Sequence, residues 1–255
     1  MADPQQDPGD AHTSYPSLEG RQAIVTGGTT GIGRAIAVLL ASEGARVFIC
    51  GRHKQHLADA LERISQVGEG GGINVDLAEP EGLQTFFDAA DEYLGGLDIA
   101  VVNAAIPAEA LADTRHKEAA YQIAVDFTAY LMTTQHAVQR MKEGSDIVLI
   151  GSMSAVSKSP GSSIYVAAKA GIEGFAPSLR KELAEKGIKV GLIEPGFTGA
   201  DFQYPDFSAD EQRELIKQHR MLRAEDIAVA VHYMLRQPRR CAVSHMRVET
   251  RLDHP

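Results

Sequence analysis

The sequence predicts an α/β fold in which a single doubly wound parallel sheet carries helices on both faces. Short runs rich in Val and Ile alternate with longer segments of helical periodicity from residue 21 onward. This alternation is typical of parallel strands joined by right-handed crossovers. The runs are almost continuously apolar, as expected for strands buried on both faces. No linker interrupts the pattern, so we expect one domain over 18–255 after a disordered tail over 1–17.

Each strand and helix can be placed from its own apolar pattern. The helical segments repeat their apolar residues at helical spacing, as Leu57, Leu61 and Ile64 do. The run Gly70-Gly71-Gly72 is interpreted as a turn before the third strand. Strands are predicted at 23–25, 46–50, 73–75, 99–102, 146–150, 189–193 and 244–248. Helices are predicted at 31–42, 54–67, 79–93, 118–141, 164–185 and 224–236.

Composition argues against several classes of protein. The chain has 25 basic and 34 acidic residues, a net charge of −9, and no basic block, so nucleic acid and anionic membranes are poor partners. No run approaches the roughly 18 apolar residues of a membrane span, and residues 1–16 lack the features of a signal peptide. Cys50 closes an apolar strand and is expected to be buried. With Cys241 as the other cysteine, no disulfide framework is expected, which favours a reducing cytoplasm.

A glycine-rich loop between the first strand and the first helix predicts a dinucleotide site. The loop reads Thr26-Gly27-Gly28-Thr29-Thr30-Gly31-Ile32-Gly33. Glycines there let backbone amides approach a pyrophosphate, and the helix N-terminus adds N–H groups and partial positive charge. Ligands of such a Rossmann-type sheet bind at the carboxyl ends of the strands.

The end of the second strand indicates which dinucleotide is bound. An acidic residue about 20 positions after the glycines would bind the ribose 2′-hydroxyl of NAD. Here the chain reads Cys50-Gly51-Arg52-His53-Lys54, with no carboxylate. The planar fork of Arg52 is suited to a 2′-phosphate. The sequence therefore favours NADP(H), with NAD(H) as the alternative.

Ser152, Tyr165 and Lys169 form a candidate proton-transfer set. Tyr165 and Lys169 are four residues apart on a predicted helix and so share one face. A nearby ammonium lowers the pKa of a phenol from its ordinary value of about 10. Tyr165 can then exchange a proton with a substrate oxygen while a nicotinamide exchanges hydride. Ser152 leaves the fifth strand where its hydroxyl can bond the same oxygen.

These motifs, in this order, resemble the classical branch of the short-chain dehydrogenase/reductase family over most of the chain. The resemblance implies one dinucleotide-binding and catalytic domain without a metal, in which Asp76 contacts adenine, Asn103-Ala104 forms part of a conserved turn and Pro195-Gly196 lies against the nicotinamide. It implies that Lys169 also bonds the nicotinamide ribose. The expected cofactor residues are Gly27, Thr29, Thr30, Gly31, Ile32, Gly33, Arg52, Asp76, Leu77, Asn103, Ala104, Tyr165, Lys169, Pro195, Gly196 and Thr198. The C-terminal run from Gln237 through Arg247 is similar to a subgroup of hydroxy-acid and short-chain alcohol dehydrogenases.

The chain departs from the family pattern at two places. Val102 and Ala105 flank Asn103-Ala104 where the family usually has Asn and Gly. Asp126 stands where the family has a catalytic Asn that binds a water in a proton relay to Lys169. A carboxylate there is expected to hold Lys169 protonated and to shift alcohol oxidation to higher pH. The alternative is that Asp126 caps or pairs elsewhere.

The segment 197–223 is expected to border the substrate, as a lid or as a surface helix. Its aromatic part suits an apolar or aromatic ketone, and its basic part suits a carboxylate unless Glu211 and Glu214 neutralise it. The aromatic residues are Phe197, Phe202, Tyr204 and Phe207, and the basic residues are Arg213, Lys217, His219 and Arg220. Further walls are expected from Ile106, Pro107, Met153, Ser154 and Ser159.

Three functions are compatible with these residues. The leading one is an NADP(H)-dependent carbonyl reductase or alcohol dehydrogenase acting on a small molecule. The second is an NAD-dependent secondary alcohol dehydrogenase, and the third is a non-catalytic dinucleotide-binding sensor or scaffold.

A homo-oligomer is also expected, as a dimer or preferably a tetramer. In the family, the two long helices equivalent to 118–141 and 164–185 pair across a twofold axis. Their apolar residues exceed what one sheet face needs, unless all of them pack inward. Those residues are Tyr121, Phe127, Tyr130, Ile172 and Phe175.

Overall fold

A parallel sheet forms the centre of the protein. The computed structural model describes residues 15–107, 110–199 and 207–252. The strands are β1 (Gln22–Val25), β2 (Arg46–Gly51), β3 (Glu69–Asn74), β4 (Ile99–Val102), β5 (Asp146–Ile150), β6 (Lys189–Pro195), β7 (Thr198–Gly199), β8 (Leu222–Arg223) and β9 (His245–Val248). Seven of them form one parallel sheet in the order β3-β2-β1-β4-β5-β6-β9. The remaining two, β7 and β8, pair with each other.

Helices cover both faces of this sheet. They are α1 (Gly31–Ser42), α2 (Lys54–Ser65), α3 (Gly82–Leu94), α4 (His116–Ile123), α5 (Ala129–Arg140), α6 (Ser154–Ser157), α7 (Ser163–Leu183), α8 (Ala209–Lys217) and α9 (Ala224–Leu235). One apolar cluster packs α1 and α9 on the sheet, for example through Ile36 and Val231. The other packs α3, α5 and α7, for example through Phe86 and Ile172. The doubly wound fold predicted from the sequence is confirmed.

The predicted turn at Gly70-Gly71-Gly72 is wrong, because these glycines lie inside β3. A Cβ atom on Gly70 would lie 2.6 Å from a methyl carbon of Ile64, and one on Gly71 would lie 2.9 Å from the ring of Tyr93. The glycines therefore make room for side chains of α2 and α3 beside the edge strand.

The helix predicted at 118–141 is present, but a π-helical turn divides it. The structure has α4, then a π-helical turn over Ala124–Thr128, then α5. Asp126 lies within this turn. An inserted π turn shifts the side chains around it relative to a regular helix and is frequent at functional sites.

The strand order reverses between β1 and β4, which are neighbours in the sheet. In open sheets of this kind a crevice opens at that point, beyond the carboxyl ends of the strands. The glycine-rich loop follows β1 and therefore lies beside this crevice.

Both cysteines are free thiols: Cys50 is buried, as its apolar strand predicted, and Cys241 is exposed. Within the described ranges, no helix combines the length and the hydropathy needed to cross a membrane. Residues 1–14 of the predicted N-terminal tail lie outside the described residues.

Candidate active site

A cleft of about 840 Å³ lies at the carboxyl ends of the central strands. The structure brings all sixteen predicted cofactor residues and Ser152 to its walls, but not Asp126. The lining cofactor residues are Gly27, Thr29, Thr30, Gly31, Ile32, Gly33, Arg52, Asp76, Leu77, Asn103, Ala104, Tyr165, Lys169, Pro195, Gly196 and Thr198. Residues distant in sequence thus share one cavity.

The glycine-rich loop is shaped by contacts that leave no space for side chains. Gly27 has a φ of +64°, and a Cβ atom on Gly33 would lie 2.2 Å from the carbonyl oxygen of Gly27. The Asn103 side chain donates to the carbonyl of Thr26 at 3.0 Å, and its backbone N–H donates to the Thr26 hydroxyl at 3.0 Å. Asn103 therefore holds the loop open toward the cleft. Backbone amides cradled in this way fit a pyrophosphate.

The adenosine end of the cleft contains a contact that sequence reasoning missed. Arg52 donates to the hydroxyl of Tyr121 at 2.6 Å, and its guanidinium lies 5.8 Å from the centre of that ring. The Tyr121 hydroxyl in turn donates to the Asp76 carboxylate. Tyr121, one of the residues expected at a subunit interface, links Arg52 to Asp76. Burial, followed by this carboxylate, raises the pKa of Tyr121.

The second strand ends where an acidic side chain would not fit. A Cβ atom on Gly51 would lie 2.4 Å from the hydroxyl oxygen of Thr29 in the glycine-rich loop. A side chain at Gly51, where an NAD-binding acid would stand, would therefore collide with the Thr29 side chain. Arg52, the next residue, is exposed at the cleft wall.

Lys169 lies at the centre of the site, almost completely buried. Its ammonium donates to the carbonyl oxygen of Ile150 at 2.9 Å and lies 5.4 Å from the ring centres of both Tyr165 and Tyr130. Two aromatic faces and a carbonyl thus surround the charge. The adjacent Tyr165 and Lys169 expected from their spacing are present in the cleft wall.

Ser152 follows Gly151 at the carboxyl end of β5, where the sequence predicted it. Its hydroxyl donates to the Ser154 hydroxyl at 3.1 Å and accepts from the Ser154 backbone N–H at 3.1 Å. These contacts fix the side chain at the strand end that the cleft reaches. The carboxyl end of β5 thereby presents a hydroxyl beside the tyrosine helix.

Asp126 lies behind the cleft wall and is fully buried. Its carboxylate accepts from the backbone N–H of Ile106 at 2.8 Å and from the Gln122 amide at 3.4 Å. Burial raises the pKa of Asp126 to about 6, opposed by the ammonium of Lys169. Burial lowers the pKa of Lys169 to about 8, opposed by the carboxylate of Asp126. The two side chains therefore interact electrostatically, and Asp126 also anchors the chain at Ile106.

The substrate end of the cleft has the walls expected of it, together with Phe197. Those walls are Ile106, Pro107, Met153, Ser154 and Ser159. Pairing of β7 with β8 and an edge-to-face contact between Phe197 and Phe207 (5.8 Å) join the two ends of the candidate lid. Phe202 and Tyr204 lie outside the described residues.

The basic residues of the candidate lid do not reach the cleft. Arg213 pairs with Asp210 and Lys217 with Glu214, both within α8, while Glu211 caps this helix instead of neutralising them. The cleft walls also exclude His219 and Arg220. The structure therefore does not bring the expected cations to a substrate carboxylate.

Several cleft residues carried no clear sequence signal. Tyr130 and Thr133 line the cleft one helical turn apart on α5, and the buried Thr133 hydroxyl has no hydrogen-bond partner among the described residues. His53 and His56 also line the cleft. The close spacing of the two histidines was the available sequence signal for His56. Glu249 and Thr250 line the cleft because they directly follow β9, which pairs with β6.

The family model described as "short chain dehydrogenase" matches residues 21–211. An uncharacterised oxidoreductase of Staphylococcus aureus is 33% identical over 235 residues, covering 91% of this chain and 97% of the relative. A 3-oxoacyl-[acyl-carrier-protein] reductase of Haemophilus influenzae is 34% identical, covering 85% and 91%. A short chain dehydrogenase from Burkholderia cenocepacia, solved in complex with NADP, superposes with a TM-score of 0.81 at 31% identity, covering 92% and 98%.

Proposed function

Because the chain belongs to the short-chain dehydrogenase family, we propose that it transfers a hydride between NADP(H) and a carbonyl or secondary alcohol substrate. The observation that carries this proposal is the placement of Lys169 against the Tyr165 ring, in one cleft with the glycine-rich loop. The loop supplies a cradle of backbone amides, and the Tyr165 helix supplies a transferable proton. A non-catalytic sensor has no need of this second set.

The protein's contribution to the chemistry is proton transfer and alignment. When bound, the cofactor supplies or accepts the hydride. In reduction, the Tyr165 hydroxyl donates its proton to the carbonyl oxygen, and the Ser152 hydroxyl holds that oxygen by a hydrogen bond. The Lys169 ammonium stabilises the phenolate that remains on Tyr165. Oxidation follows the same path in reverse, with Tyr165 accepting the alcohol proton.

The preference for NADP(H) is part of the proposal. Arg52 is exposed at the end of β2, where its fork can pair with a 2′-phosphate while Tyr121 holds it in position. The close approach of Gly51 to Thr29 disfavours the acidic residue that NAD binding uses. An NAD-dependent secondary alcohol dehydrogenase remains the alternative.

The test is a screen of ketones and secondary alcohols against both cofactors, following absorbance of the reduced nicotinamide. We expect reduction of at least one apolar or aromatic ketone, with a higher kcat/KM for NADPH than for NADH. Equal or better use of NADH would overturn the cofactor preference alone. Binding of a dinucleotide without turnover of any substrate would favour the sensor.

We also propose a homodimer or homotetramer formed through the helices on the α5 and α7 face. Tyr130 and Ile172 are buried in the chain's own core, so they are not available for a subunit contact. Phe127 and Phe175 are partly exposed and are the residues that we expect at the interface. A cytoplasmic location remains a prediction. Solution mass by light scattering tests the assembly, and a monomer at micromolar concentration would contradict it.

A further inference from the structure

The charged side chains that line the cleft are divided between its two ends. Arg52, His53 and His56 line the adenosine end together with Asp76. Lys169 lies at the centre, against Tyr165. At the other end, beside the Pro195-Gly196 turn, the charged side chain among the described lining residues is Glu249. The end beside the Pro195-Gly196 turn therefore carries a negative charge.

Backbone pairing fixes Glu249 in this position. The pairing of β6 with β9 places Val248 opposite Pro195, and the backbone N–H of Gly196 donates to the carbonyl of Val248 at 2.8 Å. A Cβ atom on Gly196 would lie 3.6 Å from Cγ of Glu249. The carboxylate therefore belongs to the wall next to the turn that our assignment places against the nicotinamide.

No lysine or arginine lines the cleft beside Glu249. All 25 Lys and Arg residues of the chain fall within the described ranges, because residues 1–14, 108–109, 200–206 and 253–255 contain neither type. Of these 25, only Arg52 and Lys169 line the cleft. In the sequence, the charged residues of 108–109 and 200–206 are Glu109, Asp201 and Asp206.

The nearest cations in the sequence are directed elsewhere. Arg247 interacts with Glu249, but its guanidinium donates to Glu194 at 2.9 Å and to Glu173 at 3.4 Å, outside the cleft walls. Lys158 and Arg251 are exposed and do not line the cleft. A substrate anion at this end would therefore meet a carboxylate in a wall that contains no lysine or arginine side chain.

The remaining walls of this end are neutral. They combine an apolar surface with hydroxyl groups that donate or accept hydrogen bonds. The hydroxyl residues are Ser154, Ser157, Ser159, Ser162 and Thr250, and the apolar residues are Ile106, Pro107, Met153 and Phe197. Such walls suit a carbonyl compound whose far end carries a hydrogen-bond donor.

We propose that Glu249 is a specificity-determining residue, which selects carbonyl substrates bearing an ammonium or hydroxyl group and rejects those bearing a carboxylate or phosphate. This inference rests on the proposed reductase function. Specificity of this kind arises as much from repulsion of the wrong substrate as from attraction of the right one. The carboxylate is exposed, so solvent and salt moderate its effect.

The test uses three methyl ketones of equal chain length that end in trimethylammonium, hydroxyl or carboxylate. Kinetics with NADPH at low ionic strength give kcat/KM for each. For the wild type we expect the ammonium ketone to exceed the carboxylate ketone by about threefold or more. Glu249→Gln should bring this ratio close to one, and it should change kcat/KM for the hydroxyl ketone less than for either charged ketone, because the Gln amide oxygen still accepts a hydrogen bond. Glu225→Gln, which removes an exposed carboxylate outside the cleft, should leave the ratio unchanged.

The outcomes separate the two levels of the proposal. Reduction of the hydroxyl ketone with equal use of the two charged ketones overturns the role of Glu249 and leaves the reductase function standing. A charge preference that survives Glu249→Gln does the same. Failure to reduce any ketone, these three and the apolar or aromatic ones included, overturns the function and the inference with it. Added salt should reduce the wild-type ratio, as expected for a screened charge.

Discussion

Replacing Asp126 by Asn removes one buried negative charge beside Lys169 and keeps the shape of the side chain. In the structure the Asp126 carboxylate accepts a hydrogen bond from the backbone N–H of Ile106 at 2.8 Å. The oxygen of an Asn side chain can accept the same hydrogen bond. The change therefore isolates the charge from the anchoring role. Asp126 opposes the effect of burial on the pKa of Lys169, which is nevertheless lowered to about 8.

The sign of the effect follows from treating Tyr165 and Lys169 as one titrating pair. A neighbouring carboxylate disfavours loss of a proton from the pair, so its removal lowers the pH at which the first proton leaves. An opposite charge at this range shifts a pKa by about 1–3 units, and burial limits screening, so we expect a displacement of about 1 unit or more. Oxidation needs the deprotonated pair and reduction the protonated one.

The assay is the pH dependence of kcat/KM for both directions of one ketone–alcohol couple, since this profile reports groups of the free enzyme. In Asp126→Asn, the rise of oxidation and the alkaline loss of reduction should both move to lower pH by the same amount. Asp59→Asn, at an exposed ion pair with Arg34 and Arg63, is the control and should move neither. Profiles that coincide with the wild type would refute the electrostatic role and leave Asp126 as an anchor for Ile106.

Three further predictions concern Arg52, Tyr130 and Asp146. Arg52→Ala should weaken NADPH binding by about 1–3 kcal/mol and leave NADH binding unchanged in fluorescence titrations; equal weakening would refute the 2′-phosphate contact. Tyr130→Leu removes the aromatic ring whose centre lies 5.4 Å from the Lys169 ammonium, so the rise of oxidation and the alkaline loss of reduction should both move to lower pH by about 0.5–1 unit. Tyr130→Phe keeps the ring and should behave like the wild type. Unchanged pH profiles in both variants would contradict a stabilising role of this ring. Asp146→Asn, which removes the buried partner of three cations, should lower the free energy of unfolding by about 3–5 kcal/mol in urea titrations, against at most about 1 kcal/mol for Asp59→Asn; similar losses would contradict it.

The central strands were predictable because burial on both faces leaves an unambiguous apolar run. The predicted strands at 99–102 and 146–150 coincide with β4 and β5. In β3 that signal is absent, since Ile64 and Tyr93 occupy the space where side chains would stand and only glycine fits. Local sequence cannot distinguish such a strand from a turn, because the reason for its glycines lies in other elements.

The π-helical turn around Asp126 was not predictable for a related reason. Apolar spacing continues through 118–141, and one wider turn changes too few positions to alter the pattern. The order of the motifs indicated the cofactor loop and the Ser152, Tyr165 and Lys169 set, and the structure brings them together. Two features could not be predicted because they depend on tertiary packing alone. They are the contact of Arg52 with Tyr121 and the position of Glu249 beside Gly196.

The most direct test of the proposed chemistry is the turnover of Tyr165→Phe. This change keeps the ring beside Lys169 and removes the only atom through which Tyr165 can exchange a proton. We predict a loss of turnover by orders of magnitude with NADPH binding retained, while Tyr233→Phe, at an exposed position on α9, behaves as wild type. Near-normal turnover of Tyr165→Phe would contradict Tyr165 as the acid and base of the reaction.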